Sequence, residues 1–496
     1  MSAPRQPLWH SAWAAQAASA TLVTLGLAGC ASMAPPYETP ALPVAQGYAD
    51  EAQPPGLDAA VTDWPAYFTD PTLQALITQA LDHNRDLRTA VLRVDEARAA
   101  YGIQRAERFP TLGAQASLDR SRVPADLNTT GRPLLASQYK VGLGVASWEL
   151  DFWGRVRSLQ DAALENYLST DAARRGFTLS LIGQVAQVYL GLRELDERLA
   201  LARQTITSRQ ESLRIFTRRV EVGSTSRLNL TQVQTLLTQA QALGAQLDQA
   251  RAMQAHALAL LVGAPVAVPP STTRMDEDLV LAALRPGLPA DLLTQRPDVL
   301  AAEHQLRAAH ANIGAARAAF FPRVTLTSSL GTASAELDGL FLSGSQTWTF
   351  SPSISLPLFD AGRRRDNLSL AEVRRELAVV RYESTVQSAF RDVSDALSAR
   401  RWLGEQLTLA QTALAAQSER ARLSQLRYDN GAAAFLEVLD AQRELFAAEQ
   451  QLVQTRRALL SSQVSLYTAL GGGSLAVAAP ASAPANTAPT SRRAAP

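Results

Sequence analysis

The sequence predicts a mainly α-helical chain, duplicated along its length, that also carries short β-strands of membrane-spanning length. Three observations lead there. The stretches 154–222 and 362–430 contain no proline and place Leu, Val and Ala at helical spacing. Short segments elsewhere alternate instead: Trp348, Phe350, Ile354 and Leu356 share one face, Thr349, Ser351, Ser353 and Ser355 the other. Both patterns occur twice, in the same order.

The chain opens on a targeting segment at 1–29, with Arg5 as a thin basic region before a short apolar core. Its end, Leu27-Ala28-Gly29-Cys30, resembles the bacterial lipobox, which implies cleavage before Cys30 and acylation of that residue. Cys30 is the single cysteine among 496 residues, so no internal disulfide competes for it. Ala31 follows rather than Asp, which in that resemblance favours the outer membrane, and several acyl chains on one cysteine anchor stably. The leader at 30–62 is rich in Pro, Ala and Gly and reads as extended chain lying on something else. The tail at 474–496 is rich in Pro, Ala and Ser and reads as disordered.

Between these ends the body repeats. "RAERFPTLGAQASL" at 105–118 returns as "RAAFFPRVTLTSSL" 212 positions later, at 317–330. Within the flanking segment Ala90, Gly102, Arg105, Phe109 and Pro110 recur as Ala302, Gly314, Arg317, Phe321 and Pro322. Beyond the strands the offset becomes 208, so Gly154-Arg155 matches Gly362-Arg363 and Gly263 matches Gly471. A repeat of this size is a domain-scale duplication. The first repeat covers 63–264, with strands at about 111–120 and 139–150; a linker occupies 265–295. The second repeat covers 296–473, with strands at about 323–332 and 347–356.

In each repeat a helix ends at a Phe-Pro pair, where proline lacks an N–H and biases Phe109 and Phe321 away from helix. Two strands follow, then a helix of roughly 100 Å at 1.5 Å per residue. It reverses at a glycine turn, "EVGSTSR" or "DNGAAAF", and a shorter helix returns. The apolar positions of these hairpins spread beyond one stripe and mix with Gln, Ser and Thr, as in a cylinder wall with water inside.

Strands of about ten alternating residues match tilted transmembrane β-strands. Four cannot close a barrel, and open edges are not tolerated in lipid, so copies of the chain must share one. Three copies supply twelve strands. Phe109, Phe321, Trp148 and Trp348 are candidate interfacial aromatics.

Composition excludes other classes. With 47 basic and 46 acidic residues, net +1, no electrostatic pull toward nucleic acid is encoded. His304 and His310 fall on different helix faces, which argues against a metal pair. "GLGVAS" at Gly142 lacks the third glycine of a dinucleotide loop and lies in a strand. Neither catalytic residues nor a cofactor are expected.

"WPAYFTDPTLQALITQALDHNRDL", "LPADLLTQRPDVLAAEHQLRAAHANIGAARAAFFPRVTLTSSLG" and "GAAAFLEVLDAQRELFAAEQ" resemble the outer membrane factor family, the TolC-like channels. With Cys30 the chain is most similar to the NodT-type efflux lipoproteins. The resemblance implies a homotrimer with a twelve-strand β-barrel in outer-membrane lipid and a periplasmic α-helical barrel. Its implied partners are a periplasmic adaptor (membrane fusion) protein and an inner-membrane pump of the resistance-nodulation-division type. It also implies a periplasmic gate at Leu436, Asp440 and Arg443, where an apolar ring gates by dewetting and a carboxylate ring disfavours anions. Gln232 holds the position of Asp440 in the first repeat, so such a gate is asymmetric. The tips at Val222-Gly223 and Asn430-Gly431, with Arg219, Leu228 and Arg427, resemble the family's adaptor contacts. Three functions remain open: an efflux outlet for small molecules, an outlet for type I protein secretion, and a lipid-anchored periplasmic coiled-coil scaffold.

Overall fold

The computed structural model describes residues 33–41, 44–45, 47–48, 56–271, 274–275, 284–285 and 291–474; the targeting segment, Cys30 and residues 475–496 lie outside these. The chain forms two units, and each takes pieces of both repeats.

One unit comprises 1–41, 93–170 and 302–382. Its centre is an antiparallel sheet of β2 (Leu112–Val123), β3 (Leu134–Leu150), β5 (Arg323–Ser334) and β6 (Gln346–Ser355), in the order β2-β3-β5-β6. Each repeat contributes one hairpin, and the β3–β5 pairing joins them. The hairpin of the first repeat is longer than its sequence suggests: β2 continues past Arg120 to Val123, and β3 begins at Leu134. Polar residues from Asp119 onward hide an alternation that the backbone keeps. Gly142 and Gly331 face one another across β3–β5. A Cβ on Gly331 would stand 2.2 Å from the Val141 carbonyl oxygen, and one on Gly142 2.6 Å from that of Leu330. These glycines are therefore close-approach residues of the sheet. A bulge interrupts β3 between Val145 and Trp148, where Ser147 takes φ 48° and its N–H donates to Thr327 Oγ1 at 3.2 Å.

Both helix-to-strand exits close in the same way. After α3 (Arg85–Ala106), the Phe109 N–H donates to Ala106 at 3.0 Å; after α7 (Pro297–Ala318), the Phe321 N–H donates to Ala318 at 3.1 Å. Their surroundings differ. Phe321 stacks on Trp153 at 4.6 Å, and the Trp153 indole donates to the Pro322 carbonyl at 2.9 Å. Glu149 accepts from Arg155 and Arg323 beside them, at 2.7 and 2.6 Å. Phe321 is thus packed on Trp153 within the chain while staying 39% exposed. Phe109 remains 65% exposed, and Phe359, beyond β6, 88%.

The leader segment 34–37 lies on this unit. His310 Nε2 is 2.6 Å from the Pro35 carbonyl oxygen, Tyr37 meets the His310 ring edge-on at 5.7 Å, and Arg307 covers Tyr37 at 5.3 Å. A Cβ on Gly314 would come within 2.8 Å of the Ala34 nitrogen, so glycine makes room for the strap. His304 is engaged elsewhere, with Glu165 at 2.6 Å.

The other unit comprises 42–92, 171–301 and 383–496. It holds α1 (Trp64–Tyr67), α2 (Pro71–His83), α5 (Arg227–Val262), α6 (Leu292–Gln295) and α9 (Phe435–Ala469). Two 67-residue helices, α4 (Arg155–Glu221) and α8 (Arg363–Asp429), contribute residues to both units. The short strands β1 (Leu57–Asp58) and β4 (Leu284–Arg285) pair in parallel. Asp70 caps α2 through the Thr72 and Leu73 N–H groups, and its other oxygen accepts from Tyr189 at 2.6 Å. Burial and that carboxylate push the Tyr189 hydroxyl up to about 12. Tyr67, Phe68 and Tyr467 form a buried aromatic knot.

Duplication is visible here atom by atom. Gly263 ends α5 with φ 73° and packs on the carbonyl of His83; Gly471 follows α9 with φ 75° and packs on that of Gln295. Asn84 donates to the Leu261 carbonyl at 2.7 Å, and Arg296, its counterpart, donates to that of Ala469 at 3.0 Å. Arg296 is additionally paired with Asp298 and Asp392, the compensation a buried guanidinium needs.

Candidate functional site: the hairpin tips

The two tips of the second unit are built alike. In the first, the Ser224 N–H donates to the Arg219 carbonyl at 2.8 Å and the Gly223 N–H to that of Val220 at 3.0 Å. In the second, Ala432 donates to Arg427 at 2.8 Å and Gly431 to Tyr428 at 2.9 Å. These are Schellman closures, and both glycines have φ 74°. Each turn is followed by a helix whose second residue is an exposed leucine: Leu228 at 67% and Leu436 at 56%. Val222 is also exposed, and Asn430 turns back to the Leu426 carbonyl at 2.7 Å.

A side chain at φ 74° carries a left-handed penalty of ~1–2 kcal/mol. Gly431→Val is accordingly expected to raise amide exchange across 424–440, with Gly431→Asn milder. Unchanged protection in the valine variant contradicts this account of the turn.

Behind the turns the hairpins are fastened to each other. Phe435, which has Arg227 as its counterpart, reaches Phe216 at 4.2 Å and Tyr428 at 4.9 Å. Phe216, Val233 and Leu439 form the buried cluster beneath. Arg219 donates to the Tyr428 hydroxyl and lies over the Phe216 and Tyr428 rings. Arg427 is 2.7 Å from Glu437.

Asp440 is clamped on both oxygens, by Arg443 at 2.6 Å on its own helix and by Arg420 at 2.7 Å on α8. Arg443 also meets Glu444 at 3.0 Å. The cluster of Arg420, Asp440, Arg443 and Glu444 sums to zero charge, so Asp440 is an ion-paired carboxylate. Asp440 thereby latches α9 to α8. Each such partly exposed pair contributes ~0.2–1 kcal/mol. Sequence reasoning missed Arg420 because no helical spacing links it to Asp440; only the hairpin brings the two together. The first hairpin places Ser212, Gln232 and Thr235 at the corresponding positions and carries no such latch. Its α5 instead presents an open groove of about 410 Å³, lined by Thr231, Gln234, Thr235, Thr238, Gln239 and Ala242.

A sheet with one apolar and one polar face, together with paired long helical hairpins, defines an outer-membrane channel subunit. A family model for outer membrane efflux proteins matches residues 76–264 and 288–472. The solvent efflux pump outer membrane protein SrpC of Pseudomonas putida is 46% identical over 90% of this chain and 96% of its own. The outer membrane protein OprJ of Pseudomonas aeruginosa is 43% identical over 92% and 95%. Among solved structures, the open-state MtrE outer membrane channel of Neisseria gonorrhoeae superposes with a TM-score of 0.82, at 39% identity, over 89% of this chain and 98% of that one. The chain belongs to the outer membrane efflux protein family. It resides in the outer membrane, with its helical part in the periplasm.

Proposed function

We propose that three copies of the chain close one twelve-strand barrel and form the passive outlet of a tripartite efflux pump. In this reading an inner-membrane pump of the resistance-nodulation-division type delivers small toxic molecules through a periplasmic adaptor. The observation that carries the oligomer is the sheet itself: β2 and β6 are both unpaired edges. An exposed edge in hydrocarbon leaves several backbone groups unsatisfied, each costing several kcal/mol. Pairing β6 of one copy with β2 of the next removes every edge and preserves the antiparallel order. The two exits support the same partner. Trp153 covers Phe321 within the chain, whereas Phe109 and Phe359 lie exposed beside the two free edges, where a neighbouring copy would bring them together.

Within this reading Leu228 and Leu436 are the apolar points at which an adaptor's helical tips seat, with Arg219 and Arg427 beside them. Leu436, Asp440 and Arg443 form the periplasmic gate, latched by Arg420. Cys30 carries the lipid that holds the chain in the membrane, and the Ala34–Tyr37 strap continues from it. The chain conducts and does not catalyse. The names of the relatives, a solvent pump component among them, favour small apolar or amphiphilic cargo over protein.

A deletion strain loaded with a fluorescent efflux dye tests this directly. The account expects dye retention on deletion and restored export on complementation, with the secreted protein profile unchanged. Normal dye export together with loss of a secreted protein would instead assign the chain to protein secretion.

A further inference from the structure

The sheet register identifies which side of each strand meets lipid. On β6, Trp348, Phe350, Pro352 and Ile354 share a face, and pairing carries that face to Leu330, Ser328, Leu326 and Val324 on β5. It continues to Trp148, Val145, Leu143, Val141 and Tyr139 on β3, and to Leu112, Ala114, Ala116 and Leu118 on β2. The opposite face carries Thr347, Thr349, Ser351 and Ser353. The large apolar and aromatic residues gathered on the first side, with Ser328 and Thr332 among them, make it the lipid side.

Following β2 beyond Leu118 with the same alternation leads to Arg120 and Arg122, opposite Ser137 and Leu135. Both arginines are exposed, and among the described residues neither forms an ion pair or a side-chain hydrogen bond. The acid just before them, Asp119, and Ser121 between them lie on the polar face. The β3–β5 pairing ends at Tyr139 and Ser334, so the arginines lie where the first hairpin outruns the second. From Val324 to Ser334 the strands rise roughly 26 Å, at ~3.4 Å per residue and a ~40° tilt, close to the ~25 Å apolar band of such barrels. Arg120 therefore falls at the outer edge of that band, on the side away from the helices.

We propose that Arg120 and Arg122 bind phosphate groups of the lipid in the outer leaflet. A cation facing hydrocarbon is costly at the membrane centre, but the cost largely disappears near the interface. A planar guanidinium there fits phosphate oxygens in pairs. Two of them on alternate residues of one strand stand ~7 Å apart, presenting two positive charges to one phosphorylated surface. Nothing in the channel's conducting or docking role uses these residues, because they are on the outside of the sheet.

The test uses full-length protein in neutral detergent, titrated with bisphosphorylated lipid A, its dephosphorylated form, or inorganic phosphate. Thermal stability and retained lipid by native mass spectrometry are the readouts. The proposal expects stabilisation by the phosphorylated lipid alone, and at least a tenfold weaker effect in the double variant Arg120→Gln, Arg122→Gln. Lys140→Gln, a cation on the polar face, should respond like wild type. Three results would overturn it. One is equal lipid retention by the double variant and wild type. Another is equal stabilisation by inorganic phosphate or dephosphorylated lipid. The last is a loss of oligomer stability in the double variant before any lipid is added. That last result would assign the arginines to acidic residues of a neighbouring copy, such as Glu336 or Asp338.

Discussion

Gly331→Val is expected to abolish the assembled channel, reducing the urea-resistant, detergent-extracted fraction at least tenfold. A valine Cβ would stand 2.2 Å from the Val141 carbonyl oxygen and 2.6 Å from the Gly142 Cα. Both are backbone atoms, so no side chain can turn aside. The strands must separate, and they separate at the one pairing that joins the repeats' hairpins, β3–β5. Two-stranded hairpins alone are marginal even in water, and in lipid each would expose two further edges. Gly331→Ala should show the same defect less severely. Thr332→Val is the control, since that side chain points outward in the same strand. Wild-type assembly of Gly331→Val would contradict the register described here.

Asp440→Ala is expected to raise single-channel conductance in a planar bilayer several-fold. The variant removes an acceptor shared by two helices, leaving Arg420 and Arg443 as two close cations without their common partner. The latch between α8 and α9 is lost and a repulsion replaces it. In a trimer the change occurs three times. Because ~1 M salt shortens the screening length to about 3 Å, the repulsive part should shrink there while the lost latch persists. Arg420→Gln, which breaks only the bond between the helices, should raise conductance less. If Asp440→Ala leaves conductance unchanged, the ion-pair latch is not what holds the tip closed.

Much of this was legible in the residues. The constant offsets of 212 and then 208 predict that equivalent atoms meet, and Gly263 on His83 against Gly471 on Gln295 shows how literally they do. Helix lengths followed from absent proline, and β6 from strict alternation. Other features depend on what folding brings together. Arg420 and Asp440 are distant in helical phase until the hairpin closes. Gly142 and Gly331 carry no side-chain pattern at all, because their role is to let two backbones approach. The extension of β2 was concealed by Asp119, Arg120 and Arg122, whose polarity resembles a loop although their alternation is that of a strand. The leader's seat at Gly314 was equally invisible, since a glycine inside a helix announces only that something comes close.

The pairing of β2 with a neighbour's β6 is the claim on which the channel rests. Its most direct test is the protein mass of the detergent-extracted mature chain, by light scattering with the detergent contribution subtracted. The account predicts the mass of three chains. A monomer stable in mild detergent would contradict it, because four strands with two open edges would then need no partner to close them.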